Sequence, residues 1–442
     1  MRRLKLALES LAVDLLYLVA SPLIVLVWLV LSRGLTRPKY RRGLVAKLGH
    51  VAIRMDERPS FWIHAVSVGE VQTSVSLVAA LAERFPAHDV SISVSTYTGF
   101  EVATKRFPGR DVFWAPFDLS FCATRTIHRR RPSALILVEL ELWPGLLLAA
   151  RRIGVPAFVV NGRLTERSCA RYERLGRLGR WLFSLVDGVG AQNDEYGRRF
   201  ARLGVAGDRL AVLGNLKHDP PPVARRPSLV TLRERLGWTE SDGHVVLVGG
   251  STHRGEERLL CATMATLRDR APGLRLVLVP RHVERLVAGE IEDWGADRPI
   301  VRWSQLQSSP RRLGDEVLVV DTVGELERFY ASADMVVVGG SFVERGGHNV
   351  FEPTRLGRAT CFGPYTGNFR DEVRILLDAG AARQVPDADA LETCLAAWLG
   401  DAEERRRIGA RAAAVVDAQR GARERHVEWL ARALRLSIQD AN

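Results

Sequence analysis

From Phe61 onward, short apolar runs alternate with stretches patterned for helices. FWIHAVSVG (61–69), DVSISVST (89–96), ALILVELEL (134–142) and VPAFVVNG (155–162) are rich in Val and Ile and read as buried strands. Residues 71–84 and 144–152 carry helical spacing between them. The same rhythm restarts with HVVLVGGS (244–251), LRLVLVPRH (274–282), EVLVVDT (316–322) and MVVVGGS (335–341). Such alternation predicts parallel sheets with helices on both faces, an α/β chain of two doubly wound domains. HDPPPVARRPS (218–228) separates the two series with four prolines in eleven residues. Proline blocks helix and ladder bonding, so this stretch predicts the linker. The expected division is a membrane anchor with its basic flank at 1–47 and a first domain at 48–217. The linker at 218–228 and a second domain with closing helices at 229–442 complete it. Two such domains are expected to face a cleft, with ligands at the carboxyl ends of the strands.

The chain before Phe61 is different. Residues 11–32 form an apolar run broken only by Asp14, Ser21, Pro22 and Ser32. As a helix this run would rise about 33 Å, enough for a bilayer core. It is too long for a secretory leader, and no small-residue cleavage site follows it. Arg2, Arg3 and Lys5 precede the run, whereas Arg33, Arg37, Lys39, Arg41, Arg42 and Lys47 follow it. The positive-inside tendency therefore keeps the following domains cytoplasmic. A helix lying on the membrane instead of spanning it is the other reading, and either one predicts contact with an anionic membrane surface.

Composition narrows the class. The 442 residues are 47% apolar and 26% charged, which excludes a disordered or collagen-like chain. One long apolar run excludes a polytopic transporter. A formal net charge of +12 suits an anionic partner. No basic stripe interleaved with aromatics is present, so nucleic acid is not the expected one. Cys122, Cys169, Cys261, Cys361 and Cys394 are odd in number and widely spaced, which argues against a disulfide framework or structural zinc.

The candidate chemistry sits where strands end. In HAVSVGE (64–70) Glu70 opens a helix; it could simply complement the helix dipole, or serve as a general base. Glu139 and Glu141 in VELELWPG would share one face of a strand, and paired carboxylates there need cationic partners or a function. Arg163 and Arg167 in NGRLTERS could pair with them or hold an acceptor phosphate. Lys217 closes GNLK just before the linker. Ser251, Thr252 and His253 precede a helix, Arg281 and His282 end a strand, and DTVGEL and GGSFVERGGHNVFEP offer glycine-rich turns. Glycine turns leading into helices expose N–H groups that suit a phosphate.

Several motifs are missing: GxxxxGK[ST], HExxH and GxSxG do not occur. The Asp387–Asp389 pair reads as a loop or a helix cap, not a metal site. Charge on a departing phosphate would then fall to Lys and Arg.

Taken in order, HAVSVGE, ELELWP, NGRLTERS, GNLKHD, STHRGEE, LVPRH, DTVGEL and GGSFVERGGHNVFEP resemble the Kdo transferases, which attach 3-deoxy-D-manno-octulosonic acid to the lipid A precursor. The resemblance runs from about residue 61 to 370 and implies a GT-B glycosyltransferase of two Rossmann-like domains. It implies CMP-Kdo as donor, lipid IVA as acceptor, an inverting mechanism without metal or cofactor, and the inner membrane as location. By the family pattern Glu70 would be the base, with Glu139 and Lys217 stabilising the transition state. Pro280 and Arg281, Val323, Gly324 and Glu325, and Asn349, Val350, Phe351 and Glu352 would bind CMP. The chain departs from the pattern at Gly145, where the family often has Asn, and at His218, where an aromatic is usual. Another membrane-associated GT-B enzyme, using a nucleoside-diphosphate sugar, is the alternative.

Overall fold

The computed structural model describes residues 2–32, 43–205, 207–219, 230–288, 291 and 294–436, with side chains of 2–3, 20–32, 230–231 and 287–288 excepted. The basic residues at 33–42 and most of the proline-rich stretch lie outside these residues. The chain divides into two compact units, residues 1–222 with 419–442, and residues 223–418.

The first unit holds seven parallel strands: β1 Ser60–Ala65, β2 Asp89–Val94, β3 Asp111–Trp114, β4 Ala134–Val138, β5 Ala157–Gly162, β6 Gly188–Ala191 and β7 Leu210–Val212, in the order β3-β2-β1-β4-β5-β6-β7. The second holds β8 Val245–Thr252, β9 Leu274–Pro280, β10 Ile300–Arg302, β11 Val317–Val319, β12 Met335–Val338, β13 Ala359–Phe362 and β14 Arg383–Gln384, in the order β10-β11-β9-β8-β12-β13-β14. Both are doubly wound. The direction of winding reverses between β1 and β4 in the first sheet and between β8 and β12 in the second. Each sheet is apolar on both faces, and strands β1, β4, β9 and β12 are buried along their whole length. That is why β4 and β12 read as unbroken apolar runs, while β1 is interrupted only by Ser60 and His64 and β9 only by Arg275.

Two expectations change in detail. The run 134–142 is strand only as far as Val138, because Glu139 takes a left-handed backbone with φ of 63° and turns the chain out of the sheet. The closing segment, expected in the second domain, belongs to the first unit. There Trp429 packs edge-on against Phe158, and His426 accepts the N–H of Asn161. Asp387 is a helix cap, accepting the N–H of Ala390 at 2.9 Å.

The N-terminal run is one helix, α1 (Arg2–Ser32). Its first half is attached to the first unit. Leu6 is buried in the core beside Leu146 and Leu147. Asp14 accepts the N–H and hydroxyl of Ser120, and Tyr17 donates to Asp118 at 2.6 Å. Among the described residues no helix is long and apolar enough to cross a membrane. The span expected from Leu11 therefore loses its start, since Asp14 and Tyr17 are bonded to protein.

Candidate functional site

The first sheet builds a carboxylate cluster at its switch point. After β1 the chain enters helix α2 (Val68–Arg84), with Ser67 as N-cap and Glu70 as third residue of the first turn. The Glu70 carboxylate turns back to accept the N–H of Val66 and the hydroxyl of Ser67, both at 2.7 Å. It is a relative of the capping box, so dipole and site readings of Glu70 coexist. Burial raises the pKa of Glu70, and the two hydrogen bonds oppose that rise.

After β4, Glu139 projects toward the same place. Its strained φ is held by an N–H bond to Val160, and its carboxylate accepts Lys217 Nζ at 3.0 Å. A non-glycine residue in this region costs about 1–3 kcal/mol, which the surrounding bonds must offset. Glu141 accepts Trp143 Nε1–H at 3.0 Å. Its pKa is pushed up to about 7, first by burial, then by the charges of Glu70 and Glu139. The charge of Glu139 thus acts on both other carboxylates, and Lys217 pairs with Glu139.

Lys217 is placed by residues that motif reading overlooked. Asn215 accepts the Lys217 N–H, and Asn161 accepts the Leu216 N–H at 2.9 Å. Asn161 is fully buried in a left-handed conformation, its own N–H bonded to His426 Nε2 at 3.0 Å. His426 Nδ1–H donates to the Ala422 carbonyl, and burial lowers its pKa to about 4, so it acts as a neutral brace. An Asn-Gly pair closing a strand is the sequence sign of such a turn. His64 is also buried and neutral. Ser93 accepts Trp62 Nε1–H at 2.7 Å and donates to His64 Nδ1 at 2.8 Å. Arg163 and Arg167 lie exposed beyond β5; the partner the structure gives Glu139 is Lys217.

The second sheet carries the other group of candidates at its own switch point. Ser251 is left-handed with φ of 54°, and Thr252 donates to Glu257 at 2.9 Å. Glu257 in turn pairs with Arg285 at 2.6 Å. Glu256 accepts four backbone N–H groups, from His253, Gly340, Ser341 and Phe342, at 2.7–3.0 Å. It thereby ties the turn after β8 to the turn after β12. Pro280 ends β9, Arg281 and His282 are exposed beyond it, and His253 Nε2 lies 2.9 Å from His348 Nε2.

Asn349 bonds the N–H of Phe351 through its oxygen and Glu352 through its amide. Val350 and Phe351 are buried in the core below. Burial raises the pKa of Glu352, opposed by Arg355, Asn349 and Arg281. Arg355 also bridges Glu327 at 3.0 Å, which links Glu352 to the turn of Val323, Gly324 and Glu325. Val323 stands 86% exposed there, an apolar side chain with no packing role. Among the described residues no group of three or more His, Cys, Asp or Glu could hold a metal ion.

Two doubly wound parallel sheets with these sites at their strand ends are the fold of GT-B glycosyltransferases. The glycotransferase of kitacinnamycin shares it, with a TM-score of 0.51 at 15% identity over 86% of this chain and all of that one. Residues 39–220 match the family described as 3-Deoxy-D-manno-octulosonic-acid transferase (kdotransferase). The 3-deoxy-D-manno-octulosonic acid transferase of Haemophilus influenzae is 31% identical over 94% of this chain and 96% of its own length. That of Bordetella pertussis is 33% identical over 84% and 86%. The chain belongs to the Kdo transferase family and is a glycosyltransferase.

Proposed function

We propose that the protein transfers Kdo from CMP-Kdo to lipid IVA with inversion, at an anionic inner-membrane surface, its domains on the cytoplasmic side. The observation that carries this reading is the buried Glu70 beside the Glu139–Lys217 pair, at the switch point of a sheet in a Kdo transferase. Glu70 takes the proton of an acceptor hydroxyl, whose oxygen forms a bond to the anomeric carbon. The bond from that carbon to the CMP phosphate breaks, and CMP leaves with the electron pair. Lys217 and Arg281 offset the charge that develops, without a metal or cofactor. Pro280, the 323–325 turn and the 349–352 stretch are assigned to CMP, with Glu352 accepting the ribose hydroxyls. Arg163, Arg167, Ser251, Thr252, His253 and His282 are assigned to acceptor or phosphate contacts.

The outer face of α1 supports the membrane part. Leu4, Leu8, Leu11, Leu15 and Leu18 form a stripe at alternating spacings of four and three, each 51–67% exposed. An amphipathic helix fixed to a domain by its polar face offers such a stripe to lipid.

The test is transfer from freshly generated CMP-Kdo to lipid IVA with EDTA present, read by product mass, for wild type and Glu70→Ala. The wild type should add Kdo, and the variant should lose at least about 10²-fold in rate while still binding CMP. Transfer by the variant near the wild-type rate would overturn the base assignment. No transfer by folded wild type, with UDP but not CMP bound, would overturn the donor.

A further inference from the structure

The turns after three adjacent strands of the second sheet, β9, β8 and β12, each contribute a histidine: His282, His253 and His348. His253 and His348 meet nitrogen to nitrogen at 2.9 Å, with ring planes 5° apart and centroids 5.1 Å apart. The centroid separation exceeds the nitrogen separation by about two ring radii, so the rings lie edge to edge in one plane. That is the geometry of an N–H···N bond, in which one imidazole donates and the other accepts. His282 stands edge-on to His253 at 5.5 Å.

The pair is built into the fold. Glu256 fixes the main chain on both sides of it, at His253 and at Gly340. Gly340 has φ of 67°, and a Cβ there would come within 2.9 Å of His348. Only a glycine leaves that imidazole room.

Cations predominate around the pair, with Glu352 near enough to Arg281 to feel its charge. From the turn after β9 come Arg281, His282 and Arg285; from the turn after β12 comes Arg345. Glu257 answers Arg285 at 2.6 Å and Glu284 answers His282 at 3.1 Å. Glu256 is occupied by its four N–H groups. Arg281 and Arg345 have no ion pair among the described residues. Burial, then His253, Arg281 and His282, pushes His348 down to about 4, and burial with the surrounding cations lowers His253 as well, so the resting pair is neutral. An intact N–H···N pair can accept one proton but not two, because a second would set two N–H groups against each other.

We infer that the His253–His348 pair is a one-proton anion site, taking up a single proton as a phosphate or carboxylate of the donor docks against Arg281 and Arg345. The inference rests on the donor reading above, and adds proton-linked recognition of the donor's anionic group. Linkage then requires affinity to fall tenfold per pH unit between the pair's free and bound values.

Calorimetry at pH 6.5, in buffers of differing ionisation enthalpy, counts the protons taken up by the full chain with CMP, cytidine or free Kdo. The anion's own ionisation contributes equally to wild type and variants, so the difference isolates the pair. The wild type should take up about one proton more than His348→Gln or His253→Gln with the anion that docks there, and no more with cytidine. An excess seen with CMP alone identifies the phosphate; an excess with Kdo alone identifies the carboxylate. Nitrogen-15 NMR of the wild-type histidines gives the same reading without a variant, as two neutral rings becoming a protonated pair. CMP or Kdo binding with equal proton counts and neutral rings overturns the inference and leaves the donor reading intact. No binding of either ligand overturns both.

Discussion

Replacing Lys217 by Met removes the cation from the carboxylate cluster and leaves its volume nearly unchanged. Lys217 is 43% exposed and Glu139 22%, so their 3.0 Å pair is screened by water. An exposed pair of this kind is worth about 0.2–1 kcal/mol, and the melting temperature should move little. The site should respond more sharply. Glu139 already raises the proton affinity of Glu70 and of Glu141 through its charge. Without Lys217 that charge goes unanswered, and the same 0.2–1 kcal/mol corresponds to about 0.1–0.7 pH unit on the neighbouring carboxylates.

The assay is the pH profile of kcat/KM for Kdo transfer at constant ionic strength. A base must be ionised to act, so its titration sets the acid limb. In Lys217→Met that limb should move to higher pH by up to about 0.7 unit, and Lys217→Arg should restore it. A lost transition-state contact would separately lower the plateau by about 10²-fold. A plateau that falls while the limb stays fixed, or a limb that moves to lower pH, refutes the electrostatic coupling.

Glu141 carries a folded pKa near 7 against 4.5 in a free chain, so its contribution to stability is full below pH 4.5 and is lost as pH rises through 7. Glu141→Gln should therefore gain about 1–2 kcal/mol on the wild type between pH 5 and pH 8 in thermal or denaturant unfolding; a pH-independent gap would contradict this. Asp14→Ala should free α1 from the first unit at a cost of about 1–3 kcal/mol, because Ser120 loses the acceptor of its N–H and hydroxyl. Faster hydrogen exchange over 4–19, with exchange in β1 and β4 unchanged, would register the release.

The central strands were legible because burial on both faces writes them as apolar runs, and β1, β2, β8 and β9 lie within the expected segments to a residue. The last two strands of the first sheet, which are short, were not. Gly188–Ala191 and Leu210–Val212 have four and three residues, too few to show a period, and their pairing is decided by neighbours already in place. Glu70, Glu139 and Lys217 could be named from strand-end motifs, but their supports could not. Asn161 and His426 are 265 positions apart, and only folding brings the last helix under β5. The spanning reading changes for another reason. Hydropathy counts Leu11–Ser32 as one run, yet Asp14 and Tyr17 find partners on another segment and convert its start into a docked helix. Gly145 is also explained by a distant residue: a Cβ there would run into the Asp118 carbonyl.

The two sheets place opposite electrostatics at the same topological position. At the first switch point, burial raises the proton affinity of Glu70 and Glu141, with the charge of Glu139 adding to both and that of Glu70 to Glu141. Such a place can hold a proton acceptor but repels a nucleotide phosphate and a sugar carboxylate alike. At the second, Arg281 and Arg345 face imidazoles that burial keeps neutral, which favours anions but would weaken any carboxylate base beside them. The transfer proposed above draws on both kinds of environment. Building them on separate sheets lets each be tuned by its own burial and its own neighbours. Substitutions at Glu139 or Lys217 should accordingly alter the pH dependence of transfer, and those at His253 or His348 the affinity for the donor.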